Sequence, residues 1–242
     1  MELKKYKKID AITLKYLAMF MMLLDHLWAT IVPGNDWMNY IGRLAFPIFA
    51  FQIVEGYFHT KDYKQYLKRL FIFALISEIP FNLMTSGSYI YPFGQNVIFT
   101  FIYGIVSIQA IEEIIKCNHV VKNVVKVLLM MILSIITFPD YNLMGYLTVL
   151  LFYVTRNMQY AWLYQLGGMI YLNWYSFKGL TIYVEAFGKT IPVLVQSFAI
   201  LSLLLIWQYN GKPGNQNPIL RKLAYWFYPV HMFVIYLISR II

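Results

Sequence analysis

Residues 14–32 read LKYLAMFMMLLDHLWATIV, a stretch that is apolar apart from Lys15, the pair Asp25–His26 and a few small or aromatic polar groups. A helix that crosses a bilayer needs about 20 predominantly apolar residues. The stretch has this length and composition, so it predicts a transmembrane helix near the start of the chain. An ionisable side chain at membrane depth costs at least about 2.5 kcal/mol. Asp25 and His26 therefore mark this helix as a candidate functional element.

The composition of the whole chain favours lipid over water as its solvent. Of the 242 residues, 60% are hydrophobic and 13% are charged, whereas soluble domains are about half apolar and a quarter charged. The net charge of +9 does not indicate nucleic-acid binding, because the bases form short clusters between apolar runs. Cys117 is the only cysteine, which excludes an intramolecular disulfide and a cysteine-based zinc site. No His-x-x-x-His or similar spacing indicates a metal site.

We predict an all-α fold, a polytopic integral membrane bundle that forms a single domain over residues 1–242. About nine transmembrane helices are expected from the length that a span requires. Residues 175–190 are interpreted as a re-entrant or interfacial segment. The predicted helices cover residues 14–32, 38–58, 70–86, 96–115, 121–138, 142–155, 158–175, 191–209 and 223–240.

The distribution of Lys and Arg predicts a cytoplasmic N-terminus in the cell membrane. In this orientation 16 of the 20 bases lie in cytoplasmic segments and the other 4 lie outside, as the positive-inside rule requires. The cytoplasmic bases are Lys4, Lys5, Lys7, Lys8, Lys15, Lys61, Lys64, Lys68, Arg69, Lys116, Lys122, Lys126, Arg156, Lys212, Arg221 and Lys222, and the outer ones are Arg43, Lys178, Lys189 and Arg240.

The first helix carries a cation and an imidazole on one face. Lys15 and His26 are eleven residues apart, which is about three helical turns and about 16 Å along the axis. An anionic cofactor such as coenzyme A could bind at the inner, Lys15 end, with its thioester reaching His26. Asp25 lies about 100° around the helix from His26 and could contact the imidazole only through a neighbour or a water. The alternative for Lys15 is snorkelling towards the headgroups.

The second helix carries a base at its outer end and an acid at its inner end. Arg43 could orient an acceptor or stabilise an oxyanion, or it could pair with Asp36 or Asp140. Glu55 lies near the cytoplasmic end of the same helix.

Further polar residues follow along the chain. In the basic loop after the second helix, Lys68 and Arg69 could bind coenzyme phosphates, although such loops usually serve only as topology signals. Glu78 and Asn96 could line a central cavity or form interhelical hydrogen bonds worth about 0.6 kcal/mol each. His231 in the last helix lies at a depth comparable with His26, and two such histidines favour proton handling.

These residues belong to a pattern that resembles the TraX family, which is represented by a conjugation-associated membrane protein linked to N-terminal acetylation of F-type pilin. The resemblance implies a bacterial membrane protein and an acetyl-transfer activity. It rests on Lys15 with Asp25-His26, GRLAFPIFAF at 42–51, EGY at 55–57, Tyr66, Arg69, FALISEIPFN at 73–82, Asn96 with Phe99-Thr100, and FYPVH at 227–231.

More distantly, the layout is similar to the integral-membrane acyltransferases that modify bacterial surface polysaccharides. Their first helix carries an Arg, ten residues and then a catalytic His, positions that Lys15 and His26 occupy here. Lys in place of Arg loses the planar guanidinium fork. The other matching positions are Glu55-Gly56-Tyr57 for a Ser-Gly-Phe, Lys68-Arg69 for a basic pair, and Tyr228 with His231 in the last helix.

Residues and resemblance together predict a membrane acyltransferase that uses acetyl-CoA as the acyl donor substrate. The acceptor is expected to be an amine or hydroxyl of a peptide, a pilin-like protein or a cell-envelope glycan. The lipid bilayer is also an expected partner, whereas nucleic acid is not expected to bind. A homo-oligomer is possible. The predicted roles are catalytic for His26, as general base or transient acyl carrier, and Asp25; donor-binding for Lys15, Lys68 and Arg69; and acceptor-side for Arg43, Glu55, Glu78, Asn96, Tyr228 and His231.

Two other functions compete with this one. A proton-coupled transporter or exporter would use the buried carboxylates and His231 as a relay, although the chain has no convincing internal repeat of the kind that many transporters are built from. A non-catalytic assembly factor for a surface structure would make His26 no more important than a lipid-facing leucine.

Overall fold

The structure is a computed structural model that describes residues 7–176, 179–186, 189–215 and 217–241. Lys4, Lys5 and Lys178, which were counted above as topology signals, lie outside these residues. The α-helices are α1 (Ala11–Thr30), α2 (Asp36–Gly42), α3 (Ala45–His59), α4 (Tyr63–Ser86), α5 (Val97–Ile115), α6 (Val120–Ile136), α7 (Asn142–Thr155), α8 (Ala161–Ile170), α9 (Ser202–Ile206) and α10 (Pro218–Ser239). A π-helical segment, Tyr171–Ser176, extends α8, and a 3-10 segment, Val195–Leu201, precedes α9.

Every predicted helical segment has a counterpart in the fold. The predicted second helix is divided into α2 and α3 by a break at residues 43–44. The predicted eighth, 191–209, is wrong over residues 191–194, which are extended, and is 3-10 over Val195–Leu201 before it becomes α9. The helix α4 begins seven residues earlier than predicted, at Tyr63, because the Asp62 carboxylate caps its N-terminus by accepting from the Gln65 N–H at 2.9 Å. It ends where Gly87 adopts a left-handed conformation with a φ of 72°.

The all-α prediction is wrong in one place. The segment interpreted as re-entrant or interfacial contributes to an antiparallel hairpin of β1 (Thr181–Ala186) and β2 (Lys189–Leu194), in which Thr181 pairs with Leu194. The sequences TIYVEA and KTIPVL are rich in β-branched and aromatic residues, which favour extended backbone. Both strands are largely exposed, so the hairpin does not contribute to the helical core.

The helices α4 and α6 bury polar side chains and expose apolar ones. In α6, Asn123 and Ser134 are buried while Val125 and Leu129 are exposed. In α4, Ser77 and Asn82 are buried while Leu75 and Ile79 are about half exposed. Soluble proteins rarely expose such contiguous apolar faces, whereas lipid-facing helices require them. By length and apolar content, α1 and α5 could each cross a bilayer, and α7 and residues 195–206 are apolar but shorter.

Successive connections between the helices lie at opposite ends of the bundle. At one end Ile9 and Tyr209 form a parallel β-bridge, and the Tyr16 hydroxyl donates to the Leu220 carbonyl. At the other end Gln95 bridges to Pro139. Lys15 lies near the first end, which we call the Lys15 end, and the α4–α5 and α6–α7 connections form the opposite end.

Candidate active site

His26 on α1 and His231 on α10 contact each other inside the bundle. Their Nδ1 and Nε2 atoms, respectively, are 2.8 Å apart, and the two ring planes are parallel to within 2°. The other ring nitrogen of His231, Nδ1, lies 2.7 Å from the Phe227 carbonyl oxygen one turn earlier. Phe227 also stacks on the His231 ring, with centroids 4.5 Å apart. The sequence predicted similar depths for the two histidines, and the structure brings them into direct contact.

The Asp25 carboxylate pairs with Arg43 rather than with either histidine. One guanidinium nitrogen of Arg43 donates to both Asp25 oxygens at 2.8 and 3.0 Å, and the Asn39 amide donates to Oδ1 at 2.7 Å. The side chain that contacts the His26 ring nitrogen Nδ1 is His231 and not Asp25. Arg43 pairs with Asp25 rather than with Asp36, whose carboxylate accepts from the Trp28 indole at 3.0 Å.

Gly42 makes this arrangement possible. A Cβ added at Gly42 would lie 2.5 Å from the Asp25 Cβ, a distance that real carbon atoms do not reach without displacement. The absence of a side chain lets α2 approach α1 closely, so that Arg43 and Asn39 both reach the same carboxylate.

A small cavity of about 40 Å³ lies beside His26. Its wall includes Asp25 and, from the α6–α7 connection, Asp140 and Tyr141. Desolvation of the Asp140 carboxyl raises its pKa to about 6, against the opposing effect of the Arg43 guanidinium and with a further contribution from the Asp25 charge. Asp140 was considered above only as a partner for Arg43, so its place beside the imidazole is new.

A larger cavity of about 580 Å³ extends from the Lys15 end towards His26. Lys15, Arg221 and His59 lie in its wall near that end. Deeper inside it is largely apolar and aromatic. It shares five wall residues with the small cavity, namely Met22, Phe49, Val97, Phe101 and Tyr228. The two cavities are thus adjacent, and together they run from a cationic opening to the imidazole.

The residues predicted to bind the acyl donor lie in different places in the structure. Lys15 lines the large cavity, as the stripe on α1 predicted, but Lys68 and Arg69 are exposed and are not among its lining residues. Arg221 on α10 lines the wall instead, a residue that sequence reasoning counted only as a topology signal. The sequence did indicate this position, because Arg221, Tyr228 and His231 have the i, i+7, i+10 spacing of residues on one helix face.

Glu55 was predicted on the acceptor side but lies towards the Lys15 end. It forms an ion pair with Arg156, with 2.6 Å between Nε and Oε1 and 3.4 Å between Nη2 and Oε2. The Arg156 guanidinium also lies over the Phe58 ring, 4.2 Å from its centroid. This cluster ties α3 to the residue that follows α7, while Glu55 also lines the large cavity.

Glu78 and Asn96 form the N-terminal cap of α5. The Asn96 backbone N–H donates to Glu78 Oε2 at 3.2 Å, and Asn96 Oδ1 accepts from the Ile98 N–H at 3.1 Å. These contacts correspond to the structural alternative stated for both residues. Tyr228, in contrast, lines both cavities.

The carboxylates proposed for a transport relay do not form one chain among the described residues. Asp25 binds Arg43, Glu55 binds Arg156 and Glu78 caps α5. Each is engaged at a different position, and only Asp25 lies beside the histidine pair.

Comparisons with known proteins agree with the pattern of these residues. The profile of the family described as TraX protein matches residues 11–239. The chain is 26% identical over 244 positions to the "Probable fimbrial assembly protein FimC, serogroup H1" of Dichelobacter nodosus, and the alignment covers 92% of this chain and 93% of that protein. No solved structure matches the chain.

Proposed function

This chain belongs to the TraX family, and on that premise we propose that it is a transmembrane acyltransferase that moves an acetyl group from cytoplasmic acetyl-CoA to an amine or hydroxyl acceptor. The observation that carries the proposal is the pair of adjacent cavities that joins the Lys15 end of the bundle to His26. The acceptor would be a peptide of a pilin-like protein or a glycan of the cell envelope. The relative in Dichelobacter nodosus, whose name describes fimbrial assembly, favours the peptide.

The proposed setting is a bacterial cytoplasmic membrane, with the Lys15 end facing the cytoplasm and about nine helical segments embedded. The exposed apolar faces of α4 and α6 support this setting. The excess of Lys and Arg in the connections at the Lys15 end supports the orientation.

Acetyl-CoA would occupy the large cavity as a substrate. Its phosphates carry several negative charges, and Lys15 and Arg221 are the cations that line the cavity near its opening. The thin pantetheine arm would extend along the apolar wall past Met19 and Met22. The thioester would then lie next to the small cavity, where Phe49 and Phe101 bound the space around its acetyl group.

The acceptor would reach the small cavity from the end that carries Asp140 and Tyr141. Its nitrogen or oxygen attacks the thioester carbonyl carbon while its proton moves to His26 Nε2. The carbon–sulfur bond then breaks, and the departing thiolate takes the proton from His26, which returns to its starting state. If His26 instead carries the acetyl group transiently, its Nε2 attacks the thioester carbon and the carbon–sulfur bond breaks to release the CoA thiolate. The acceptor then attacks the acylated imidazole, the bond from the acetyl carbon to Nε2 breaks, and the acceptor's proton passes to the thiolate.

Tyr228 is suited to stabilise the oxyanion that forms at the carbonyl oxygen. Tyr228 lines both cavities, so it lies where the thioester of a bound donor would pass. Arg43 supplies a positive charge nearby but is held by Asp25.

The test is acetyl transfer by purified protein in lipid nanodiscs, with radiolabelled acetyl-CoA and a peptide amine as acceptor. We expect thioester turnover that falls by about 10²- to 10⁴-fold in His26→Ala, the usual contribution of a general base. The matched control is His119→Gln, an exposed histidine in the α5–α6 connection. Absence of turnover in the native protein, or full activity in His26→Ala, would refute the proposal.

A further inference from the structure

The histidine pair has a fixed hydrogen-bond order. The Phe227 carbonyl oxygen can only accept, so the nitrogen 2.7 Å away, His231 Nδ1, must carry a hydrogen. In a neutral imidazole the other nitrogen, Nε2, then carries a lone pair. This nitrogen lies 2.8 Å from His26 Nδ1, which must therefore be the donor. One carbonyl on α10 thus determines the tautomer of a histidine on α1.

The consequence for His26 is that its remaining nitrogen, Nε2, is unprotonated. This is the nitrogen that the proposed transfer uses as its base. In the other tautomer Nε2 would carry a hydrogen and could not accept the proton of the acceptor. We propose that His231 is the positioning residue of the site, which holds His26 in its basic tautomer and shares the proton that His26 takes up. This inference rests on the proposed function for its role in transfer, but the hydrogen-bond order itself does not.

The proton movements balance without any further group. When His26 Nε2 receives the acceptor proton, the hydrogen on His26 Nδ1 can move across the 2.8 Å contact to His231 Nε2. The positive charge then rests on His231, whose Nδ1–H continues to donate to Phe227. When the thiolate takes the proton from His26 Nε2, the shared hydrogen returns to His26 Nδ1 and both rings are neutral again.

The surroundings keep this contact in place. His231 is only 6% exposed, and the Phe227 ring stacks on it in a nearly parallel orientation. The Thr30 hydroxyl donates to the His26 carbonyl, which anchors that turn of α1. The other charged or titratable groups that face the pair are Asp25 on α1, Arg43 after α2, Asp140 and Tyr141 between α6 and α7, and Tyr228 on α10.

The first experiment measures the hydrogen bond without reference to activity. The protein has four histidines, so labelling their rings with ¹⁵N gives a simple NMR spectrum in detergent micelles. We expect a scalar coupling between His26 Nδ1 and His231 Nε2 across the hydrogen bond, together with an unprotonated Nε2 on His26. A protonated Nε2 on His26, or absence of the coupling at a temperature where both ring signals are sharp, would overturn the inference even if the protein proves to be an acetyltransferase.

The second experiment separates positioning from packing. His231→Gln places an amide oxygen where Nε2 stands, so it can accept from His26 but cannot take up a proton. His231→Leu retains bulk and accepts nothing. We expect His231→Leu to lower kcat by about 10²-fold or more with the KM for acetyl-CoA within about twofold of the native value. The kcat of His231→Gln should be at least tenfold higher than that of His231→Leu.

The outcomes are distinct. Equal kcat in the native protein and His231→Leu would overturn the positioning role. Equal losses in the leucine and glutamine variants would also overturn it, because they would show a requirement for shape alone. If His231→Leu does not fold, the comparison of His231→Gln with the native protein and the ring-¹⁵N spectrum still decide the question. A native protein that shows the coupling but turns over no thioester would contradict the proposed function instead.

Discussion

Single side chains explain which parts of the site could be predicted from the sequence. His26 and Lys15 lie on one helix, so their spacing alone placed them on one face. The Asp25–Arg43 pair joins two helices, and no periodicity within either helix shows which acid an arginine will meet. The sequence offered Asp36 and Asp140 as equally reasonable partners. The contact with Asp25 depends on the close approach at Gly42, which appears only once the helices are packed.

Asp140 gives the site an expected pH dependence. Because the pKa of Asp140 is raised to about 6, its carboxyl is ionised above pH 6 and becomes protonated as the pH falls below that value. An ionised Asp140 beside His26 would attract a positively charged amine acceptor. We therefore predict that the KM for an amine peptide rises several-fold between pH 7 and pH 5, while the KM for acetyl-CoA changes little.

The control for this prediction is Asp140→Asn, which removes the titrating group. Its KM for the amine peptide should be high and nearly constant over the same pH range. The measurement is initial-rate kinetics with the acceptor concentration varied at each pH. An unchanged pH profile in Asp140→Asn would show that a different group is responsible.

Most helices were predictable to within about five residues, but the start of α4 was missed by seven residues and the hairpin was not predicted. The length of each apolar run in the sequence indicated where a helical segment lies, because a helix that faces lipid is apolar along most of its length. The break between α2 and α3 was not predicted, although Gly42 and Arg43 interrupt the apolar run at that point. Thr181–Leu194 is too short and too interrupted to span a membrane, and its exposed antiparallel pairing was missed in favour of an interfacial segment.

The contact between α1 and α2 provides a stability prediction. In Gly42→Ala the new methyl group would lie 2.5 Å from the Asp25 side chain, so α2 must move away from α1. Overpacking of this kind costs about 1–3 kcal/mol, and we expect an equal loss in the free energy of unfolding measured by dodecyl sulfate titration.

A matched glycine is available in α8. A Cβ at Gly167 would meet nothing within 4 Å, so Gly167→Ala should be neutral or should stabilise the helix by up to about 1 kcal/mol. Comparable losses in the two variants would mean that the close approach of α1 and α2 is not what Gly42 provides.

For the molecule as a whole, the orientation in the membrane can be tested with its own thiol. Cys117 is exposed in the α5–α6 connection, which the proposed topology places in the cytoplasm. We predict that a membrane-impermeant maleimide labels Cys117 in inside-out vesicles but not in intact cells.

The complementary variant is Cys117→Ser with Ser88→Cys, which moves the thiol to the exposed connection between α4 and α5. This variant should be labelled in intact cells. Labelling of native Cys117 from outside would reverse the orientation and place the Lys15 end away from the acetyl-CoA pool.

The two histidines are separated by 205 positions in the chain, with one in the first helix and the other in the last. A ribosome-bound chain therefore has no contact between the two imidazoles until α10 has been inserted and has packed against α1. On the proposed function, biosynthesis itself delays efficient acetyl transfer until both helices are in place, and a protein truncated before α10 would keep His26 but lose the partner that fixes its tautomer.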